Sequence, residues 1–141
     1  MHETQNDGSA RYLVFEQSKY GIEGTSLAVV GGLTEFTDTT PLAAAQRELN
    51  EEMGREAGSM VPLGCYRTDV NRGGGYVCSF LALDTVPAPP ERRLSSDDLE
   101  PQDVVALTRA ELQEALLASR FKEVKWSNTV ALALLCGKAP A

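Results

Sequence analysis

Strand-like and helix-like patterns of apolar residues follow one another in the first half of the chain. Two runs rich in β-branched and aromatic residues, Arg11 to Gln17 and Ser26 to Val30, predict strands. Thr40 and Pro41 then form an N-cap followed by a proline at the first helical position, and Gly54 suits a left-handed C-terminal cap. A helix is therefore predicted between these signals. Its apolar stripe, spaced by three or four residues, consists of Leu42, Ala45, Leu49 and Met53.

The second half of the chain continues with further strands and two helices. Two strand candidates flank a run of glycines and can pair as a hairpin, and a short strand follows a polar, proline-containing loop. Thr108 to Glu111 has the form of a capping box, which opens a helix with Leu112, Leu116 and Leu117 facing inward. The alternation of strands and helices predicts an α/β fold in which helices pack on a mixed β-sheet. The remaining predicted elements are strands at Val61 to Thr68, Gly75 to Leu83 and Asp103 to Leu107, and a last helix from Ser127-Asn128 to Gly137.

Composition narrows the class of protein. The 141 residues are 43% hydrophobic and 23% charged, which is typical of one globular domain. Thirteen Lys and Arg against twenty Asp and Glu give a net charge of -7. That charge repels a nucleic-acid backbone, so no nucleic-acid partner is expected, and a polyphosphate substrate would need divalent cations.

Rare residues exclude several catalytic mechanisms. The only histidine is His2. The sequence therefore lacks the histidines that catalytic triads and histidine-rich zinc sites require, and any catalysis must use carboxylates. Cysteines 65, 78 and 136 are odd in number and lack a C-x-x-C pair, which favours reduced, mostly buried thiols of an intracellular protein. Val130 to Cys136, the longest apolar run, is too short to span a membrane. We therefore expect a cytoplasmic location and no membrane partner.

An unusual group of carboxylates lies at the end of the first predicted helix. Glu48, Glu51 and Glu52 occupy its last two turns, where the helix dipole disfavours negative charge. They span an arc of about 100° beside the apolar stripe, so they converge on one strip that suits Mg²⁺ or Mn²⁺. The alternative is that Arg47 and Arg55 form ordinary surface ion pairs with these acids and that the chain is a structural or interaction domain.

Residues 47–54 decide between these interpretations. They read Arg-Glu-Leu-Asn-Glu-Glu-Met-Gly and resemble the core of the Nudix box, G-x5-E-x7-R-E-U-x-E-E-x-G-U, where U is a bulky apolar residue. The box spans residues 32–55, within a Nudix domain expected at 11–138 after a disordered tail at 1–10. The resemblance implies an α/β/α sandwich with a mixed β-sheet between helices.

The chain departs from the Nudix pattern at three places. Asp38 stands where the first glutamate belongs when counting from Gly32, and Thr39 stands there when counting back from Arg47, so the loop is one residue longer and lacks that glutamate. Arg55 replaces the final apolar residue of the box. Residues 1–10 do not have a strand pattern, although the family usually has a further N-terminal strand. We expect the fold to be trimmed there or completed by a partner chain, as in a homodimer.

The resemblance also implies a reaction and its residues. Nudix enzymes hydrolyse a nucleoside diphosphate linked to another moiety and use Mg²⁺ or Mn²⁺. By the match, the metal ligands are Glu48, Glu51, Glu52 and the Gly32 carbonyl, and Arg47 positions a glutamate through an ion pair. The general base is either Glu48 or an acid of the late loop, of which Glu100 is preferred over Asp97, Asp98 and Asp103. The alternative for these four acids is that they only solvate a polar loop. Candidate substrate contacts are Arg67, Arg72 and Gly74, and the alternative for these three is an ordinary hairpin loop.

The small-molecule partner is predicted to be a nucleotide. The two strands after the box are similar to those of ADP-ribose or ADP-sugar pyrophosphatases, so ADP-ribose or another nucleoside-diphosphate sugar is the favoured substrate. Val70 and Asn71 replace the proline that often marks ADP-ribose enzymes. The alternative function is a Nudix-like nucleotide-binding or regulatory module without turnover.

Overall fold

The computed structural model describes residues 2–4, 10–95 and 101–137. Within these ranges the chain forms strands and helices in the predicted α/β order, together with a short 3-10 turn at Pro90–Arg92. The strands are β1 (His2–Thr4), β2 (Ala10–Gln17), β3 (Ser26–Ala28), β4 (Arg55–Glu56), β5 (Ser59–Arg67), β6 (Tyr76–Leu83), β7 (Val86–Pro87) and β8 (Gln102–Leu107). The helices are α1 (Pro41–Met53), α2 (Arg109–Leu117) and α3 (Val124–Leu135).

Strand β2 is the centre of the largest sheet. β1 pairs with its first residues and β3 with its last, while β8 pairs with Tyr12 to Gln17 along the opposite edge. β5 and β6 form a hairpin with a register shift between Pro62 and Gly64, and β4 pairs with β7. Every pairing among the described residues is antiparallel, so the mixed sheet expected from the sequence is replaced by three antiparallel sheets.

The hydrophobic core joins the central sheet to α2 and α3. β2 contributes Tyr12 and Val14, β3 contributes Leu27 and β6 contributes Leu81, and all four are almost fully buried. The two C-terminal helices cover these residues with their apolar faces. The largest members of this core are Tyr12, Val14, Leu27, Leu81, Leu112, Phe121 and Val130.

Helix α1 has the predicted bounds. The Thr40 hydroxyl accepts a hydrogen bond from the Ala43 N–H at 3.1 Å, and Gly54 adopts the left-handed conformation with φ of 59° at the other end. The buried face differs from the predicted stripe, because Ala44, Leu49 and Asn50 are buried whereas Leu42 is exposed. The helix is therefore rotated from the orientation that its apolar residues alone indicate.

Three other expectations from the sequence are wrong. His2–Thr4 form a strand on β2, so the N-terminal strand predicted to be missing is present. α3 begins at Val124, three residues before the predicted start. Leu117 is 78% exposed and does not face inward, since α2 ends at that residue and only one face of this short helix meets the core.

The cysteines also differ from the prediction. Cys65 and Cys78 face each other across the β5–β6 hairpin, with Cα atoms 4.0 Å apart, and form a disulfide; Cys65 is exposed. Cys136 is a free, half-buried thiol. The interpretation of all three as reduced, buried thiols is therefore wrong for two of them, and the location inferred from it loses that support. Among the described helices, none has the length and apolar character required to cross a membrane.

Candidate active site

Arg47 connects helix α1 to the loop that precedes it. Its Nε and Nη2 donate to the two carboxylate oxygens of Asp38 at 3.2 and 3.0 Å, and Nη2 also donates to the Leu33 carbonyl at 2.9 Å. Asp38 accepts a further hydrogen bond from the Glu35 N–H at 2.8 Å. The guanidinium and this N–H lower the pKa of Asp38 below its ordinary value. The loop is thereby fixed on the helix by a two-point ion pair.

The remaining face of the Arg47 guanidinium meets two of the candidate metal ligands. Nη1 lies 2.7 Å from Glu51 Oε2 and 3.0 Å from Glu48 Oε1. The hydrogen bond to Asp38 is the main cause that raises the pKa of the Arg47 guanidinium, and the neighbouring Glu51 and Glu48 carboxylates raise it further. Burial raises the pKa of Glu48 above its ordinary value, although Arg47 opposes this shift. The structure thus brings the carboxylates of Glu48 and Glu51 together on the Arg47 guanidinium.

Gly31 and Gly32, which precede the loop, lie against the carboxylates of Glu52 and Glu48. The Gly31 N–H donates to Glu52 Oε2 at 3.2 Å. A Cβ placed on Gly32 would lie 2.1 Å from Glu48 Oε1, so only glycine allows this close approach between the backbone and the carboxylate. All four predicted metal ligands, Gly32, Glu48, Glu51 and Glu52, therefore belong to one region at the junction of loop and helix.

This region fits a divalent cation by its chemistry. Its donors are carboxylate and carbonyl oxygens, which Mg²⁺ and Mn²⁺ prefer, and Glu48 is a carboxylate with only 12% of its side chain exposed. Arg47 supplies one positive charge that Asp38, Glu48 and Glu51 share, so negative charge remains in excess. In the part of the chain that the structure describes, no three His, Cys, Asp or Glu side chains are already arranged as a metal cluster. Metal binding would require these carboxylates to reorient.

A cavity of about 150 Å³ opens beside Glu48. Gly31 and Gly32 are exposed and line its entrance, while Leu81 and Val130 lie in its buried part. The predicted substrate contacts do not line it: Arg67, Arg72 and Gly74 lie on the β5–β6 hairpin. The Arg67 guanidinium stacks on the Tyr76 ring at 4.4 Å and donates to the Gly74 carbonyl, and the Arg72 side chain is 88% exposed. The structure therefore does not bring these three residues to the cavity beside Glu48.

Asn50 is a structural residue of this site that the sequence analysis did not single out. Its amide nitrogen donates to the Arg92 carbonyl at 3.0 Å, and its amide oxygen accepts from the Leu94 N–H at 2.8 Å. This buried side chain thus attaches the segment before the late loop to α1. The sequence carries no local signal for this role, because the burial of Asn50 depends on what packs against α1. Glu100, Asp97 and Asp98, the candidate bases, lie outside the described residues, and Asp103 is on β8 opposite Glu16.

A comparison with protein families decides the classification. The model described as NUDIX domain matches residues 4–127, which is most of the chain. The chain belongs to the Nudix family. In this Nudix domain, the arginine of the box, Arg47, is paired with Asp38 of the preceding loop.

Comparison with solved structures supports the same fold. The Nudix chain matches a crystal structure described as an ADP compounds hydrolase with a TM-score of 0.74 and 23% sequence identity. The match covers 87% of this chain and 64% of the other, so this chain spans less than two thirds of that protein's length. No curated protein matches the chain.

Proposed function

We propose that this Nudix domain catalyses the metal-dependent hydrolysis of a nucleoside diphosphate linked to another moiety, with release of a nucleoside monophosphate and a phosphorylated product. The observation that carries the proposal is the convergence of Glu48, Glu51 and Glu52 on the loop–helix junction fixed by Arg47. Such a concentration of acids at the C-terminal end of a helix opposes the helix dipole, and an arrangement that breaks a local rule in this way is typical of a functional site.

Each residue of the junction has a distinct role in this proposal. Glu48, Glu51, Glu52 and the Gly32 carbonyl would hold Mg²⁺ or Mn²⁺. When bound, the cation would neutralise charge on the diphosphate and lower the pKa of bound water. Arg47 keeps Glu48 and Glu51 oriented and holds the loop through Asp38. Glu48 or Glu100 serves as the general base that accepts the proton of the attacking water.

ADP-linked compounds are the first substrates to test. The strands after the box resemble those of ADP-ribose and ADP-sugar pyrophosphatases, and the similar solved structure is described as an ADP compounds hydrolase. We propose ADP-ribose or another nucleoside-diphosphate sugar as the substrate class.

We also propose that the protein is cytoplasmic and forms a homodimer. Light scattering tests the homodimer directly.

A panel assay tests the activity. The purified protein is incubated with ADP-ribose, ADP-sugars and dinucleoside polyphosphates in the presence of Mg²⁺ or Mn²⁺, and monophosphate release is measured by chromatography. Metal-dependent release from at least one compound is expected. Absence of release across the panel, with metal and pH varied, would overturn the proposal.

A nucleotide-binding module without turnover is the second candidate. The observation that favours it is that Arg47 already holds Glu48 and Glu51, while no preformed cluster of three ligands exists among the described residues. Calorimetry that detects nucleotide binding to a protein with no measurable hydrolysis would establish this function. Any metal-dependent turnover would eliminate it.

A further inference from the structure

The cavity beside Glu48 is apolar over most of its wall. It lies between α1, the central sheet, the β5–β6 hairpin and α3. Of the described residues, Glu48 is the one that places a charged side chain in this wall, and it stands near the entrance formed by the exposed Gly31 and Gly32. The inner wall is formed mainly by Val14, Leu49, Phe80, Leu81, Val130 and Ala133.

The uncharged polar side chains of the wall already have partners. The Tyr12 hydroxyl lies 3.4 Å from Arg109 Nη1, and the Thr129 hydroxyl is hydrogen-bonded to Ser79 at 2.7 Å. Cys78 is in the disulfide. A sugar or a nucleobase placed in the inner part of the cavity would exchange its hydrogen bonds with water for the few that these partly engaged side chains can still form, which is unfavourable for buried polar groups.

We propose that the cavity binds an apolar group of the substrate, about the size of a six-membered ring, while the diphosphate to which it is attached stays at Glu48. The inference rests on the proposed function, because it takes the diphosphate to be held at the junction of loop and helix. The volume fits: an engineered apolar cavity of about 150 Å³ binds benzene. A nucleoside-diphosphate sugar remains a substrate, but a nucleoside diphosphate esterified with an apolar alcohol that fills this cavity should bind more tightly.

Two ligands that share one nucleotide test this specificity. The benzyl ester of adenosine diphosphate and ADP-ribose both carry a primary alkyl phosphate, so their leaving groups are chemically alike. We expect the benzyl ester to bind at least tenfold more tightly by calorimetry and to show a correspondingly higher kcat/KM. Equal binding, or tighter binding of ADP-ribose, would overturn the inference.

Variants that fill the cavity provide the structural control. Ala133→Leu on α3 and Ala82→Val on β6 add methyl groups to the wall at a distance in sequence from the carboxylates of α1. Either substitution should reduce the preference for the benzyl ester to about twofold or less. Ala115→Leu is the matched control, because Ala115 is equally buried but does not line the cavity. The folded Ala115→Leu protein should keep the wild-type preference for the benzyl ester.

Benzene itself separates this inference from the proposed function. Saturating benzene should raise the Tm of the wild type and have no such effect on Ala133→Leu or Ala82→Val. If neither ester is hydrolysed but the benzyl ester binds preferentially and benzene stabilises the protein, the proposed hydrolysis is wrong and the apolar site stands. If hydrolysis occurs without any preference and benzene has no effect on the Tm, the apolar site is wrong and the proposed function stands.

Discussion

Removal of the Asn50 side chain should detach the segment before the late loop from α1. Asn50→Ala removes two hydrogen bonds, one to the Arg92 carbonyl at 3.0 Å and one from the Leu94 N–H at 2.8 Å. At about 1 kcal/mol for each bond the loss is about 2 kcal/mol. Alanine recovers about 0.5 kcal/mol through its better helix propensity, so we expect a net loss of about 1.5 kcal/mol in the free energy of unfolding.

Urea denaturation followed by the fluorescence of Trp126, the single tryptophan, measures this loss. Gln46→Ala is the matched control, since Gln46 is exposed on the same helix and should change the free energy of unfolding by less than about 0.5 kcal/mol. Asn50→Asp keeps the acceptor for Leu94 but opposes a carboxylate oxygen to the Arg92 carbonyl, so it should be at least as destabilising as alanine at neutral pH. If Asn50→Ala behaves like Gln46→Ala, the attachment contributes nothing and the reasoning is refuted.

Three further predictions concern the loop, the glycine pair and the hairpin. Because the pKa of Asp38 is lowered in the folded state, its stabilising contribution is present above about pH 4 and is lost as the pH falls through the lower folded value. The difference in Tm between wild type and Asp38→Asn should therefore shrink in acid, and a difference that grows there would contradict the ion pair. Gly32→Ala should displace the neighbouring carboxylate of α1 and lower kcat/KM about 10- to 100-fold with little change in Tm, whereas Gly31→Ala, whose Cβ meets nothing within 4 Å, should be close to wild type. Equal effects of the two alanines on turnover would refute this assignment. Cys65 and Cys78 close a loop with a sequence separation of 13, so their reduction should lower the free energy of unfolding by up to about 3 kcal/mol, as measured by urea denaturation with and without dithiothreitol. An unchanged midpoint would show that the bridge does not constrain the unfolded chain.

Local signals account for what could be predicted of the fold. The bounds of α1 follow from a capping threonine, a proline at the first helical position and a glycine that takes up positive φ. All three act within one turn of the helix end, so they are visible in the sequence. The capping box of α2, formed by Thr108 and Glu111, was predictable for the same reason.

Features that depend on tertiary pairing were not predictable. β1 has only three residues and exists because β2 offers it an edge. The disulfide depends on the register of β5 and β6 after the shift near Pro62, which no spacing in the sequence specifies. Which face of α1 is buried also depends on what packs against it, and so Leu42 is exposed while Asn50 is buried.

The candidate site was predictable in its composition but not in its contacts. The Nudix box identifies Arg47, Glu48, Glu51 and Glu52 because the motif is local to one helix. The two-point pairing of Asp38 with Arg47 depends on the path of the loop, and only the structure reveals it. The cavity is built from residues of distant elements and has no signature in the sequence.

Metal-dependent turnover by wild type and Glu52→Gln tests the central claim most directly. Glu52→Gln keeps an oxygen that can accept from the Gly31 N–H but removes the negative charge, so the fold should persist while the proposed metal site is weakened. Wild-type protein should release AMP from an ADP-linked substrate only when Mg²⁺ or Mn²⁺ is present, and Glu52→Gln with an unchanged Tm should lose at least 100-fold in kcat/KM. Turnover that survives chelation of the metal, or that is equal in the two proteins, would contradict the account.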